Sequence, residues 1–193
     1  MMKSWHRYTV CGLLGLAAGA AYAVHGVRDG VAAGQIRNGA WSTGGSFGTK
    51  DASAMVRAQV ALSGLLALPK KEAMYFTARN DSSGKALDGR CTYEVRGGKL
   101  DGLWWSVTLY KGEGWLVKNQ ADKWSIPGHE AQVMADGSWS FTVSPKPQPT
   151  AWLPTGNVPQ FDMTLRLYHP ADGVIAHPEK AKLPTITRKE CSQ

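Results

Sequence analysis

From residue 73 onward, apolar and polar positions mostly change places at every second residue. Leu103, Trp105, Val107 and Leu109 alternate with Trp104, Ser106, Thr108 and Tyr110. Successive side chains of a strand point to opposite faces, so this run predicts a strand with one apolar and one polar–aromatic face. The same period sorts Met74, Phe76 and Ala78 from Tyr75, Thr77 and Arg79, and Cys91, Tyr93 and Val95 from Thr92 and Glu94. It recurs in Trp139, Phe141 and Val143, and in Phe161, Met163, Leu165 and Leu167 against Asp162, Thr164, Arg166 and Tyr168. Turn-forming residues separate these runs at 80–89, Gly97-Gly98, 111–114 and Asp136-Gly137. Shorter segments are expected at Trp115-Leu116-Val117 and Trp124-Ser125-Ile126. Residues 145–149 read as a stiff loop, 152–156 as an aromatic loop, and the tail from His169 as Pro-rich and extended. Short strands at this spacing, without alternating β–α units, predict an all-β domain: a two-sheet sandwich or jelly roll.

The period changes only near the N-terminus. Residues 51–68 carry Ala52, Met55, Val56, Val60, Leu62 and Leu65-Leu66 near helical spacing. Asp51 is placed to cap this helix, Pro69 to stop it, and Lys70-Lys71 lies at its negative end. It is expected to pack on the sheet. Before it, residues 28–50 are rich in Gly, Ser and Ala and read as a linker, with Trp41 as the one large anchor.

Residues 8–27 contain no acidic or permanently charged side chain, just enough for a membrane-spanning helix of about 20 residues. Lys3 and Arg7 precede them in a short N-terminal segment, 1–7, expected on the cytoplasmic side. Two readings stand. In one, residues 8–27 are a retained single-pass anchor in the bilayer of the cytoplasmic membrane. In the other, they are a signal peptide cleaved near Ala23, after Ala21-Tyr22-Ala23. Both export residues 51–193, to the periplasm in a bacterial envelope.

Cysteine usage fits an exported domain. Cys11 lies in the apolar run, which leaves Cys91 and Cys191 as an even pair in an oxidising compartment, expected to form a disulfide, the alternative being two free thiols. The net charge is +7, but the basic residues are dispersed and form no stripe interleaved with aromatics. That argues against a nucleic-acid partner. A basic surface instead suits anionic lipid or an envelope polymer.

Few motifs carry chemistry. Gly44-Gly45-Ser46-Phe47-Gly48 matches the nucleophile-elbow pattern, but no buried strand is predicted before it. His129, His169 and His177 are isolated, so no metal site or cofactor is indicated. Glycan hydrolysis needs two carboxylates across a cleft. Only Glu94 and Asp162 fall within predicted strands, where both read as solvated. What remains is the polar–aromatic face: Tyr75, Arg79, Trp104, Tyr110, Arg166 and Tyr168. If their strands are neighbours, aromatics suited to stacking converge with two guanidinium forks. These six are the candidate ligand-binding residues; the competing reading is that they merely cover the sheet.

Between Arg57 and Pro170 the chain resembles the bacterial domain of unknown function 1214. The resemblance is carried by Trp105-Ser106-Val107-Thr108-Leu109-Tyr110, Gly114, Asn119, Asp136-Gly137 and Trp152-Leu153-Pro154. Leu165-Arg166-Leu167-Tyr168 followed by Pro170 completes it. It implies a jelly-roll-like β-sandwich, often the C-terminal half of a two-domain protein. Here a membrane segment stands where the companion domain is expected, as in short, anchored members. The family has no agreed activity, so no catalytic residue is carried over. The sequence therefore points to an exported envelope domain that binds an envelope polymer or a protein partner. The alternative is an enzyme or small-ligand carrier working on the aromatic–Arg face.

Overall fold

The computed structural model describes residues 4–33, 35–45, 49–50, 52–62, 68–112 and 114–192. The chain starts with one long helix, α1 (Ser4–Ala33), and then folds into strands. Within α1, Trp5–Gly26 is long and apolar enough to cross a membrane, and none of that stretch is buried against the protein.

The strands form two sheets. The first contains β1 (Gln35–Asn38), β2 (Trp41–Gly44), β3 (Ala73–Ala78), β5 (Gly102–Lys111), β6 (Trp115–Leu116), β7 (Ser125–Pro127) and β11 (Asp162–Pro170). Its order is β1-β2-β3-β11-β5-β6, with β7 also on β5. The second contains β4 (Cys91–Gly97), β8 (Gln132–Val133), β9 (Trp139–Ser144), β10 (Trp152–Pro154) and β12 (Thr185–Cys191). Its order is β10-β9-β4-β12, with β8 on β9. Every pairing is antiparallel except β9 with β10.

One core joins the sheets. Phe76, Val107, Leu109, Met163, Leu165 and Leu167 from the first meet Tyr93, Val95, Phe141, Val143, Leu153 and Ile186 from the second. All but Leu153 and Ile186 are the apolar halves of the alternating runs, so there the two-residue period decides which face is buried. At one margin Trp105 of β5 lies against Trp139 of β9, ring centroids 4.1 Å apart, bridging the sheets. A disulfide joins Cys91 to Cys191 and fastens β12 to β4.

Several expectations change. Residues 28–50 are not simply a linker: they include the β1–β2 hairpin, which pairs with β3 through Trp41 and Ser42. Trp41 is buried and its Nε1 donates to Pro184 O at 2.7 Å. The aromatic loop at 152–156 begins as strand β10. The extended tail contains α3 (Asp172–Ala176) and β12. Leu103, expected in the core, is 79% exposed.

The predicted soluble helix is α2 (Ala54–Leu62), and Ser53 Oγ accepts from Val56 N at its start. Asp51 and residues 63–67 lie outside the described residues. Instead of packing on the sheet, α2 packs principally against α1.

Candidate functional site

β11 is the central strand of the first sheet, flanked by β3 and β5, and its register fixes what stands beside each polar residue. Arg166 lies opposite Tyr75 on one side and Ser106 on the other. Tyr168 lies opposite Ala73 and Trp104, Thr164 opposite Thr77 and Thr108, and Asp162 opposite Tyr110. The alternation thus carries all six candidate residues to the face away from the core.

Five of them meet. The Arg166 guanidinium lies 5.9 Å from the Tyr75 ring centroid and 5.5 Å from that of Tyr110, within cation–π range of both. Its Nη1 donates to Thr108 Oγ1 at 2.8 Å, and its Nη2 donates to the Tyr110 hydroxyl. Trp104 and Tyr168 meet edge to face at 5.2 Å. Arg79 is drawn away from this group: its Nε donates to Asp162 Oδ2 at 3.2 Å, and its side chain is 61% exposed.

Under the long side chains lies a layer of hydroxyls. Ser106, Thr108 and Thr164 are buried, and the hydroxyls of Thr77 and Thr164 are 3.3 Å apart. Sequence reading passed over these residues because short polar side chains in a strand carry no chemistry of their own. Their place beside Arg166 is visible only once the register is known. Arg166, Tyr75 and Tyr110 lie over the centre of the sheet. Trp104, 42% exposed, remains open at its margin.

The electrostatics follow from burial. Burial holds the Tyr75 phenol above its ordinary value, against the opposing pull of a hydrogen bond from the Leu68 backbone. Burial also pushes the Asp162 carboxyl up, and the neighbouring Arg79 does not fully reverse this. Asp162 is therefore not the solvated carboxylate the sequence suggested; its side chain is 25% exposed. Glu94 is paired with Lys189 at 2.7 Å.

The face thus places a guanidinium within reach of two phenols, with an indole on the neighbouring edge of the same face. Such a surface can stack on a ring and accept a carboxylate or phosphate. Among the described residues no three His, Cys, Asp or Glu side chains are grouped to hold a metal ion. The elbow-like motif leads nowhere structurally: Gly44 ends β2, residues 46–48 lie outside the described residues, and α2 begins only at Ala54.

Comparison with known proteins agrees with this fold. Among solved structures, the VPA0106 protein from Vibrio parahaemolyticus is 25% identical, with a TM-score of 0.59, over 70% of this chain and 35% of that one. An uncharacterised protein from Burkholderia cenocepacia is 18% identical, with a TM-score of 0.43, over 63% of this chain and 30% of that one. The chain therefore spans about a third of the length of these structures. No curated protein matches it. The family model for proteins of unknown function DUF1214 matches residues 72–172, from the start of the β3 region through the end of β11. On that match the chain belongs to the DUF1214 family.

Proposed function

We propose that this protein is a binding module of the bacterial envelope. It is held by α1 as a single pass in the cytoplasmic membrane and displays a jelly-roll-like sandwich in the periplasm. Its outer face takes an envelope component carrying a ring and an anionic group. The observation that carries this reading is Arg166, aligned between Tyr75 and Tyr110 beside the partly exposed Trp104. A guanidinium ordered in this way has already lost much of the rotamer freedom that binding would otherwise remove.

The enzyme or small-ligand carrier reading uses the same face. It draws on a shallow depression between Thr43, Lys70 and Tyr75, with room for little more than one water molecule. Small-molecule sites ordinarily enclose about 300–1,000 Å³. A depression below that range, open to solvent, suits the edge of a larger polymer or partner better than an enclosed substrate.

The test is a thermal-shift screen of the purified protein against muropeptides, envelope saccharides and other ring-bearing anions. A ligand of the proposed class should bind about tenfold more weakly to Trp104→Ala and to Arg166→Lys, which keeps the charge but loses the fork. Affinity unchanged in both variants would remove this face from consideration.

A further inference from the structure

Helix α2 has an apolar character that the sheets do not cover. Met55, Val56 and Val60 are only half-buried, and Arg57 is the one charged residue in the helix. Its principal contact is with α1, and that contact is at a telling place. The terminal methyl of Met55 lies over Gly26, where a Cβ would come within 2.6 Å of it. Gly26 is the last residue of the apolar span Trp5–Gly26. If α1 crosses the bilayer, α2 is fixed at the level where hydrocarbon gives way to headgroups.

The reach of the chain agrees. The span of 22 residues is about 33 Å long, close to the roughly 30 Å of a hydrocarbon core. Residues 27–33 extend α1 by only about 10 Å more. Gln35 then opens β1 with one residue between, so the adjoining end of the first sheet stands just above the bilayer. The chain leaves this end at Gly44, which pairs with Gln35, and returns at the start of β3, which runs antiparallel to β2. The described residues between, α2 included, hang from the membrane-facing end of the sheet.

The charges around α2 suit that position. Lys50, Arg57 and Lys71 are exposed, and Leu68, three residues before Lys71, is 41% exposed. An apolar helix with basic flanks lies in an anionic interface, its apolar side toward the acyl chains and its cations among the headgroups.

We infer that α2 is an in-plane membrane helix: Ala54–Leu62 lies in the headgroup layer beside the outer end of α1 and engages anionic lipid. This rests on α1 being a retained span, and the experiment separates the two. Full-length Cys11→Ser protein, with its disulfide intact, is reconstituted into phosphatidylcholine vesicles with and without phosphatidylglycerol. Single cysteines replacing Leu14, Ala61 or Lys85 carry an environment-sensitive fluorophore. Quenching by shallow spin-labelled lipid is then compared with quenching by aqueous iodide.

The label at 61 should be quenched by the lipid at least about twofold more than the label at 85, and should be shielded from iodide. Both differences should grow with phosphatidylglycerol, and Arg57→Glu with Lys71→Glu should abolish that growth. A label at 61 that behaves like the one at 85, while 14 is quenched by deep spin label, overturns the inference and leaves the anchor standing. A label at 14 reached only by iodide overturns both. Growth that persists in the charge-reversed variant contradicts the role of anionic lipid.

Discussion

At the scale of single residues, the most consequential polar group lies outside the candidate face. Asp81 is almost wholly buried, and its Oδ1 accepts from Ser83 N, Ser83 Oγ and Lys85 N. Its Oδ2 lies 3.0 Å from Arg188 Nε, tying the 80s turn to β12. Burial works to raise its pKa, but the Ser83 and Lys85 hydrogen bonds and the Arg188 charge together hold it below the ordinary value. A depressed carboxyl contributes stability that is present above its unfolded pKa of about 4 and lost as pH falls through the lower folded value. Asp81→Ala should cost about 3 kcal/mol in a denaturant titration at pH 7, because several donors are left without an acceptor. The difference from the native protein should shrink in acid. A variant as stable as the parent at both pH values would contradict this.

Asp162 has the opposite sign. Its pKa is raised by burial, so its charged form is a cost above the folded pKa, relieved as pH falls. Asp162→Asn should therefore be neutral or slightly stabilising at pH 7, even though it removes the ion pair with Arg79. A loss of more than about 1 kcal/mol would mean that the pair outweighs the desolvation. Neither environment was legible in the sequence. Asp81 sits in a run that announces only a turn, and its partner is more than a hundred residues away.

At the scale of elements, alternation revealed the strands that carry the core. Met74/Phe76, Tyr93/Val95, Phe141/Val143 and Leu165/Leu167 are buried as their period requires. Elements whose order comes from tertiary pairing stayed hidden. The hairpin β1–β2 has a Gly- and Ser-rich sequence with Trp41 as its one apolar anchor of size. β12 contributes only Ile186 to the core. The polar–aromatic face was legible as a parity pattern, but its sorting into an Arg166 cluster and an Arg79–Asp162 pair depends on register.

Two variants test the joins between elements. The disulfide closes a loop with a sequence separation of 100, so the chain-entropy model assigns it at most about 4–5 kcal/mol. Reduction, or Cys91→Ser with Cys191→Ser, should lower the melting temperature by about 10 °C. A melting curve indifferent to reductant would show the bond to be dispensable. Gly156 has φ +58°, and a Cβ there would lie 2.1 Å from the Lys118 carbonyl oxygen. Gly156→Ala should cost about 2 kcal/mol or more, since both the backbone angle and the contact oppose a side chain. A cost below about 0.5 kcal/mol would mean that the loop after β10 is free to move away.

At the scale of the whole molecule, one apolar helix leads into two sheets that share a core. The sequence patterns announced this broad plan through a change of period, from an unbroken apolar run to alternation. They could not announce the partner of α2, because an amphipathic stripe records that a helix has something to cover and not what covers it. The central claim is that the sheets stand outside the cytoplasm on a helix that is retained. The most direct test expresses the chain with a C-terminal alkaline phosphatase fusion in a Gram-negative cell, then reads phosphatase activity and the intact mass of the membrane-bound product. The account predicts an active enzyme and a mass that still includes residues 8–27. An inactive fusion left in the cytosol, or a soluble product beginning just after Ala23, would contradict it.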